Sequence, residues 1–189
     1  MTVTIAYMGI PGSNSEQAAK DFAAKLESDD FTFLPRMDSR GVVSALDDEG
    51  ADYGVVAVEN INAGPVIETR EALAGRDDIE SVDSIWVPIH HCVFVKDGCT
   101  AVRYVASHIQ ALLQTASSLS RLFPDADRME VEDTAVAARY LSEGSLPEDT
   151  AVVCRRNAGE MFGLRMIHEN IEDRKDNMTE FHLLRKRVR

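Results

Sequence analysis

The sequence predicts an α/β fold in two lobes, and three features carry that expectation. Apolar runs of strand length alternate with segments of helical period, the pattern of a mostly parallel sheet covered by helices. The stretch 81–96 stays extended for longer than one ordinary strand, and Pro88 within it cannot donate to a ladder, so it reads as a crossing from one lobe to the other. No repeat, low-complexity tract or Pro/Gly/Ser-rich linker divides the chain in any other way.

In chain order, strands are expected at 4–8, 31–35, 53–58, within 82–95, and at 129–131, 151–154, 165–169 and 181–185. The helix between the first two, at 15–26, places Ala18, Ala19, Phe22, Ala23 and Leu26 on one face. A helix at 110–123 does the same with Leu112, Leu113, Ala116, Leu119 and Phe123. Shorter helices at 66–74, 134–141 and 158–162 stop at Gly75, Gly144 and Gly163, where glycine accepts the left-handed turn that closes a helix. A helix of such a fold begins near the carboxyl end of the strand before it. The N-termini at 12–16, 64–65, 107–110 and 133–135 should therefore gather at one crevice, where unpaired N–H groups can receive an anion.

Composition removes several classes of function. Twenty basic against thirty-two acidic side chains in 189 residues leave a net charge of −12, which repels nucleic acid and anionic membrane. The basic tail of Arg185, Lys186, Arg187 and Arg189 reads as a solvated end. No apolar run approaches the roughly 20 residues that a membrane span requires. Cys92, Cys99 and Cys154 have no CxxC spacing and the N-terminus has no signal-peptide pattern, so a reduced, cytoplasmic protein is expected. The histidines form no metal-ligand motif, and Gly9 to Gly12 reads GIPG, not a nucleotide loop. No metal or cofactor is expected.

Six segments then form one collinear pattern. They are AYMGIPGSNSEQAA at 6–19; Glu59-Asn60 with Gly64 and Val66; His91-Cys92; SHIQAL at 107–112; Asp133-Thr134-Ala135; and NIED at 170–173 followed by NMTEF at 177–181. In order and spacing they resemble prephenate dehydratase over nearly the whole chain. The resemblance implies two α/β subdomains of the periplasmic-binding-protein type, expected at 1–83 with 160–189 and at 84–159, with prephenate in a cleft between them. It further implies a homodimer or homotetramer and a substrate with two carboxylates, whose ring carboxylate leaves as carbon dioxide.

The same resemblance assigns residues. Asn60, Ser107, Gln110, Asp133, Thr134 and Ala135 are expected to bind substrate, and Thr179, Glu180 and Phe181 to form the catalytic triplet, with Phe181 walling the ring. In the dehydratases that triplet is Thr-Arg-Phe, so Glu180 reverses the charge of a cation that would pair with a carboxylate. Asp133 stands where Ser is common, and Ile61 and Ala63 replace a Ser and an acidic residue. The sequence ends at Arg189, which leads to the expectation of a catalytic domain without an ACT or chorismate mutase segment. These departures resemble the prephenate decarboxylases of antibiotic-type pathways, which give a dihydro-hydroxyphenylpyruvate without aromatisation, Glu180 serving as general acid or pocket carboxylate. Two other readings stay open: a prephenate dehydratase with Arg155 or Arg156 supplying the missing cation, and a non-catalytic keto-acid or aromatic ligand-binding protein.

Overall fold

The computed structural model describes residues 2–48 and 50–187. They fall into two compact units, Met1–Pro88 with Met178–Arg189 and Ile89–Asn177. The first unit contains β1 (Val3–Met8), α1 (Asn14–Ala23), β2 (Phe31–Arg36), α2 (Ser39–Asp47), β3 (Tyr53–Asn60), β4 (Gly64–Pro65), α3 (Ile67–Leu73) and β5 (Ile79–Pro88). The second contains β6 (Cys92–Val95), β7 (Tyr104–Ser107), α4 (Ile109–Gln114), α5 (Ala116–Leu122), β8 (Asp127–Glu130), α6 (Thr134–Glu143), β9 (Thr150–Cys154), α7 (Arg156–Met161) and β10 (Arg165–His168). The last strand, β11 (Met178–Lys186), returns to the first unit.

The first sheet runs β2-β1-β3-β11-β5, with β4 on β3. Its β1 pairs parallel with β2 and β3, whereas β11 is antiparallel to both β3 and β5. One face is covered by α1, whose Ala18, Ala19, Phe22 and Ala23 pack with Ile5, Tyr7, Val55, Phe181 and Leu183. Complete burial of a side chain such as Phe22 contributes roughly 1.5–3 kcal/mol. The other face receives Val42, Val43, Ala45 and Leu46 of α2 against Ala6, Val56 and Leu184. Gly54 permits that contact, since a Cβ there would sit 2.6 Å from Val42 Cγ1.

The second sheet runs β10-β6-β9-β7-β8. Here β7 pairs parallel with β8 and β9, and β6 is antiparallel to β9 and β10. The strand β9 is buried throughout, which is why TAVVC shows no alternation. Its core joins Val93, Val95, Val105, Leu119, Ala151 and Val153.

Several expectations change. The sheets are mixed, each with three parallel strands at one side and antiparallel pairing across the rest. The extended 82–95 is two strands, split after Pro88, where the chain passes from one unit to the other. The units divide at 88/89 and 177/178, not at 83/84 and 159/160, because β5 pairs with β11 as far as Pro88 and β10 pairs with β6. The helix expected at 110–123 breaks at Thr115, whose hydroxyl bonds the Ala111 carbonyl and so bends the backbone. Neither α2 nor β7 is foreseen by periodicity. Of the basic tail, Arg185 and Arg187 pair with Glu80 and Lys186 with Asp47, while Arg189 lies outside the described residues. Among the described residues no helix is long and apolar enough to cross a membrane.

Candidate functional site

In the first unit the site residues stand where β3 ends and β11 begins. Asn60 and Thr179 are register partners and both are buried. The Asn60 amide donates from Nδ2 to Thr179 Oγ1 at 2.9 Å and to the Met178 carbonyl at 3.0 Å. Its Oδ1 accepts from the N–H groups of Asn62 and Ala63, at 3.0 and 2.9 Å, shaping the turn that leads to Gly64 at φ 80°. Because Thr179 Oγ1 accepts from Asn60, its own proton remains available to a ligand. Ile61 and Ala63 are exposed rather than packed into the unit.

Consecutive residues of a strand face opposite sides, and this separates the triplet. Thr179 and Phe181 lie on one side of β11 and Glu180 on the other. Phe181 is 2 % exposed and belongs to the core beneath α1, so the expected wall for a substrate ring is a packing residue. Glu180 is half-buried, lies 3.5 Å from His182 Nε2, and stands opposite Glu59 on β3 and Trp86 on β5. Like charges directly opposite on neighbouring strands repel, so Glu59 and Glu180 make this part of the sheet strongly acidic.

At the end of β1, Gly9 and Gly12 take positive φ, and Ser13 caps α1 by accepting from the Glu16 N–H at 3.2 Å. Glu16 reaches back to the Gly12 N–H at 2.8 Å and pairs with Lys20. A carboxylate of the chain itself thus takes a donor that the sequence reading offered to an anion.

In the second unit, the parallel strands β7, β8 and β9 end on one edge of their sheet, and each is followed by a helix: α4, α6 and α7. The caps are His108, Asp133 and Arg155. His108 Nδ1 accepts from the Gln110 N–H at 3.3 Å, which leaves the ring proton on Nε2 when His108 is neutral. Asp133 Oδ1 accepts from Ala135 and Val136, at 2.7 and 3.2 Å. Burial pushes the Asp133 carboxyl up, against those two bonds and the neighbouring His108, which favour its ionised form.

The structure alters three of the expected contacts here. Ser107 is fully buried and its hydroxyl donates to the Val153 carbonyl, so it ties β7 to β9 and faces no ligand. Ala135 is likewise buried, and its N–H belongs to Asp133. Thr134 is half-buried, Gln110 exposed, and both remain on the edge. Arg156, weighed as a substitute cation, is engaged by Glu160 and Glu169.

A buried polar network in the same unit is one that the sequence reading did not assemble. Glu172 accepts from the His91 N–H at 3.1 Å and sits 3.0 Å from His90 Nδ1. His91 Nε2 lies 2.8 Å from Gln114 Oε1, which also accepts from Asn177 Nδ2 at 2.9 Å. Burial pushes the His91 imidazole below its ordinary range, so it is neutral with the proton on Nε2. Asp173 caps α5 through the Ser117 and Ser118 N–H groups, fixing the segment that leads into β11. The signal was present in NIED and Asn177, but their partners His91 and Gln114 are distant in sequence. Among the described residues no three His, Cys, Asp or Glu side chains gather as a metal site would need.

A family model for prephenate dehydratase matches residues 5–189. Arogenate dehydratase 5, chloroplastic, of Arabidopsis thaliana is 34% identical over 185 residues, covering 97% of this chain and 42% of its own. The bifunctional chorismate mutase/prephenate dehydratase of Neisseria gonorrhoeae is 35% identical over 182 residues, covering 95% of this chain and 48% of its own. The chain therefore spans less than half the length of these curated relatives. Among solved structures, prephenate dehydratase of Arthrobacter aurescens in complex with L-Phe matches with a TM-score of 0.87 at 25% identity, over 99% of this chain and 61% of that one. GqqA, described as a novel type of quorum quenching acylase, matches at 0.81 and 26%, over 98% and 65%.

Proposed function

Because the chain belongs to the prephenate dehydratase family, we propose that it is a lyase acting on a prephenate-type dianion, releasing the ring carboxylate as carbon dioxide and the ring hydroxyl as water. The product from prephenate is phenylpyruvate, and the enzyme is a carbon-oxygen lyase of aromatic amino acid biosynthesis. The observation that carries this reading is the Asn60–Thr179 pair, in which the amide holds the hydroxyl and leaves its proton for a substrate oxygen. Cytoplasmic residence and a homodimer or homotetramer belong to the same proposal, the first supported by the three free cysteines, the second by the family resemblance.

One observation favours a second reading, in which the reaction stops after decarboxylation. Next to Thr179 in β11, on the opposite side of the strand, Glu180 stands across from Glu59, so an acidic pair replaces the cation of the family's Thr-Arg-Phe triplet. A ring carbon is then protonated, the hydroxyl stays, and the enzyme is a carbon-carbon lyase of antibiotic-type biosynthesis. Incubation with prephenate, followed by NMR of the keto acid, separates the readings. Phenylpyruvate supports the dehydratase and a dihydro-hydroxyphenylpyruvate supports the decarboxylase, in which case Glu180→Arg should shift the product toward phenylpyruvate. Recovery of unchanged prephenate, with arogenate equally inert, refutes both.

A further inference from the structure

The strand β5 ends the first sheet, so among the described residues its outer row of N–H and C=O groups pairs with no strand. Along it Val82, Ser84 and Trp86 are exposed, whereas Asp83 and Ile85 are half-buried and Val87 lies in the core beneath α1. Alternation along the strand places Val82, Ser84 and Trp86 together on the side away from α1. Two large apolar side chains thus stand at one exposed edge, Val82 at 38 % and Trp86 at 43 % of full exposure. Edge strands that stay single are commonly guarded by unpaired charge, lysine above all. The charges of β5 are instead neutralised within the chain: Glu80 by Arg185 at 2.8 Å and Arg187 at 3.6 Å, Asp83 by Lys25 at 2.9 Å. The Ser84 N–H donates to Asp83 Oδ1 at 2.8 Å, not to β11.

We propose that residues 82–86 of β5 pair antiparallel with the same residues of a second copy, about a two-fold axis that passes through Ser84. The proposal gives a surface to the homo-oligomer read above and rests on that part of the reading alone. A two-fold axis through a sheet brings one patch against itself. With Ser84 opposite Ser84, Val82 stands opposite Trp86 of the second copy and Trp86 opposite its Val82, so both exposed apolar side chains gain a cross-strand partner. Asp83 falls opposite Ile85, and no two carboxylates meet. Centring the axis on Asp83 would set two carboxylates against each other, and centring it on Ile85 would set Trp86 against Ser84 and Val82 against Pro88. Neither pairs Val82 with Trp86. On association each Ser84 N–H exchanges Asp83 Oδ1 for the carbonyl of the other Ser84, while Asp83 keeps Lys25. The register shift opposite Leu183 and Leu184 makes Val82 the extra residue of β5, and Pro88 has no N–H, so the pairing is bounded at both ends. A contact this short belongs to the small, reversible class of interface and should dissociate on dilution.

Sedimentation velocity on the whole protein, from low micromolar to several hundred micromolar, should show a monomer that becomes a dimer. Trp86 is the sole tryptophan, so its emission should move to shorter wavelength over the same range as the ring leaves water. The double variant Val82→Lys with Trp86→Lys sets lysine against lysine twice and should weaken association by at least about tenfold, with an unchanged melting temperature. Ser84→Cys tests the register: opposite Cα atoms in such a pair lie roughly 5.5 Å apart, within reach of a disulfide, so mild oxidation should link two copies. Val82→Cys, which this register holds far from its own counterpart, should not link. A monomer at every concentration overturns the pairing and the homo-oligomer with it, leaving the edge to a strand of another protein and the lyase reading untouched. A dimer that survives the double variant, with no shift of Trp86 emission and no Ser84→Cys link, overturns the β5 surface alone.

Discussion

Asn60→Asp exchanges one nitrogen for oxygen in a buried side chain, and the geometry around it makes the consequences separable. The two bonds accepted by Oδ1 from Asn62 and Ala63 survive. Oδ2 now stands where Nδ2 stood, 3.0 Å from the Met178 carbonyl, so a hydrogen bond becomes a contact between two acceptors. Met178 retains the Ile61 N–H, and the loss is therefore that of one partner, about 1–3 kcal/mol. For a chain of this size that corresponds to a melting temperature lower by about 3–10 °C. At Thr179, 2.9 Å away, the hydroxyl turns to donate to the new carboxylate and is no longer available to substrate. A hydrogen bond to a charged group is worth about 1.5–3 kcal/mol, so kcat/KM should fall roughly 10- to 150-fold. Asn60→Ala gives the contrast: it removes the bonds to Met178, Asn62 and Ala63, destabilising more, yet leaves the Thr179 hydroxyl free to serve a ligand. Differential scanning calorimetry and prephenate turnover on both variants check the argument. An Asn60→Asp enzyme that melts lower but keeps kcat/KM within twofold would show that Thr179 donates to nothing in the reaction.

Two further outcomes follow from burial. Phe181→Ala should destabilise the first unit by about 3–5 kcal/mol, the cost of emptying a core site, whereas Phe181→Leu should fold well and retain kcat/KM; a large kinetic loss in a stable Phe181→Leu protein would return the ring-wall role to it. His91 is held neutral, its folded pKa below the unfolded value of about 6.5, so the unfolded chain binds the extra proton and stability is lost as pH falls below that value. Unfolding free energies from urea titrations between pH 7.5 and 5.5 should decline by up to about 1.4 kcal/mol per pH unit, and His91→Gln should flatten the decline; equal slopes in the two proteins would remove His91 as the cause.

The sequence by itself determined the α/β class, the central strands and the face of α1. These rest on local patterns: β9 is apolar from Ala151 to Cys154 because both its faces are covered, and Ala18, Ala19, Phe22 and Ala23 recur at helical spacing. The collinear motifs also determined the family, since they need only order and spacing. Four-residue β7 and the break at Thr115 escaped, because a short strand has too few positions to show a period and a hydroxyl bond to Ala111 leaves no periodic trace. Alternation along β11 sets Thr179 and Phe181 apart from Glu180. Only packing under α1 decides that the Phe181 side chain belongs to the core. The same holds for the donors expected to meet an anion. Sequence marks Gly12 and Ala135 as helix N-terminal positions, but whether an N–H there stays free depends on which acceptor reaches it, and in the folded chain Glu16 and Asp133 do. Hydrogen bonds are claimed by proximity in space, and that proximity is set by tertiary structure, not by residue type.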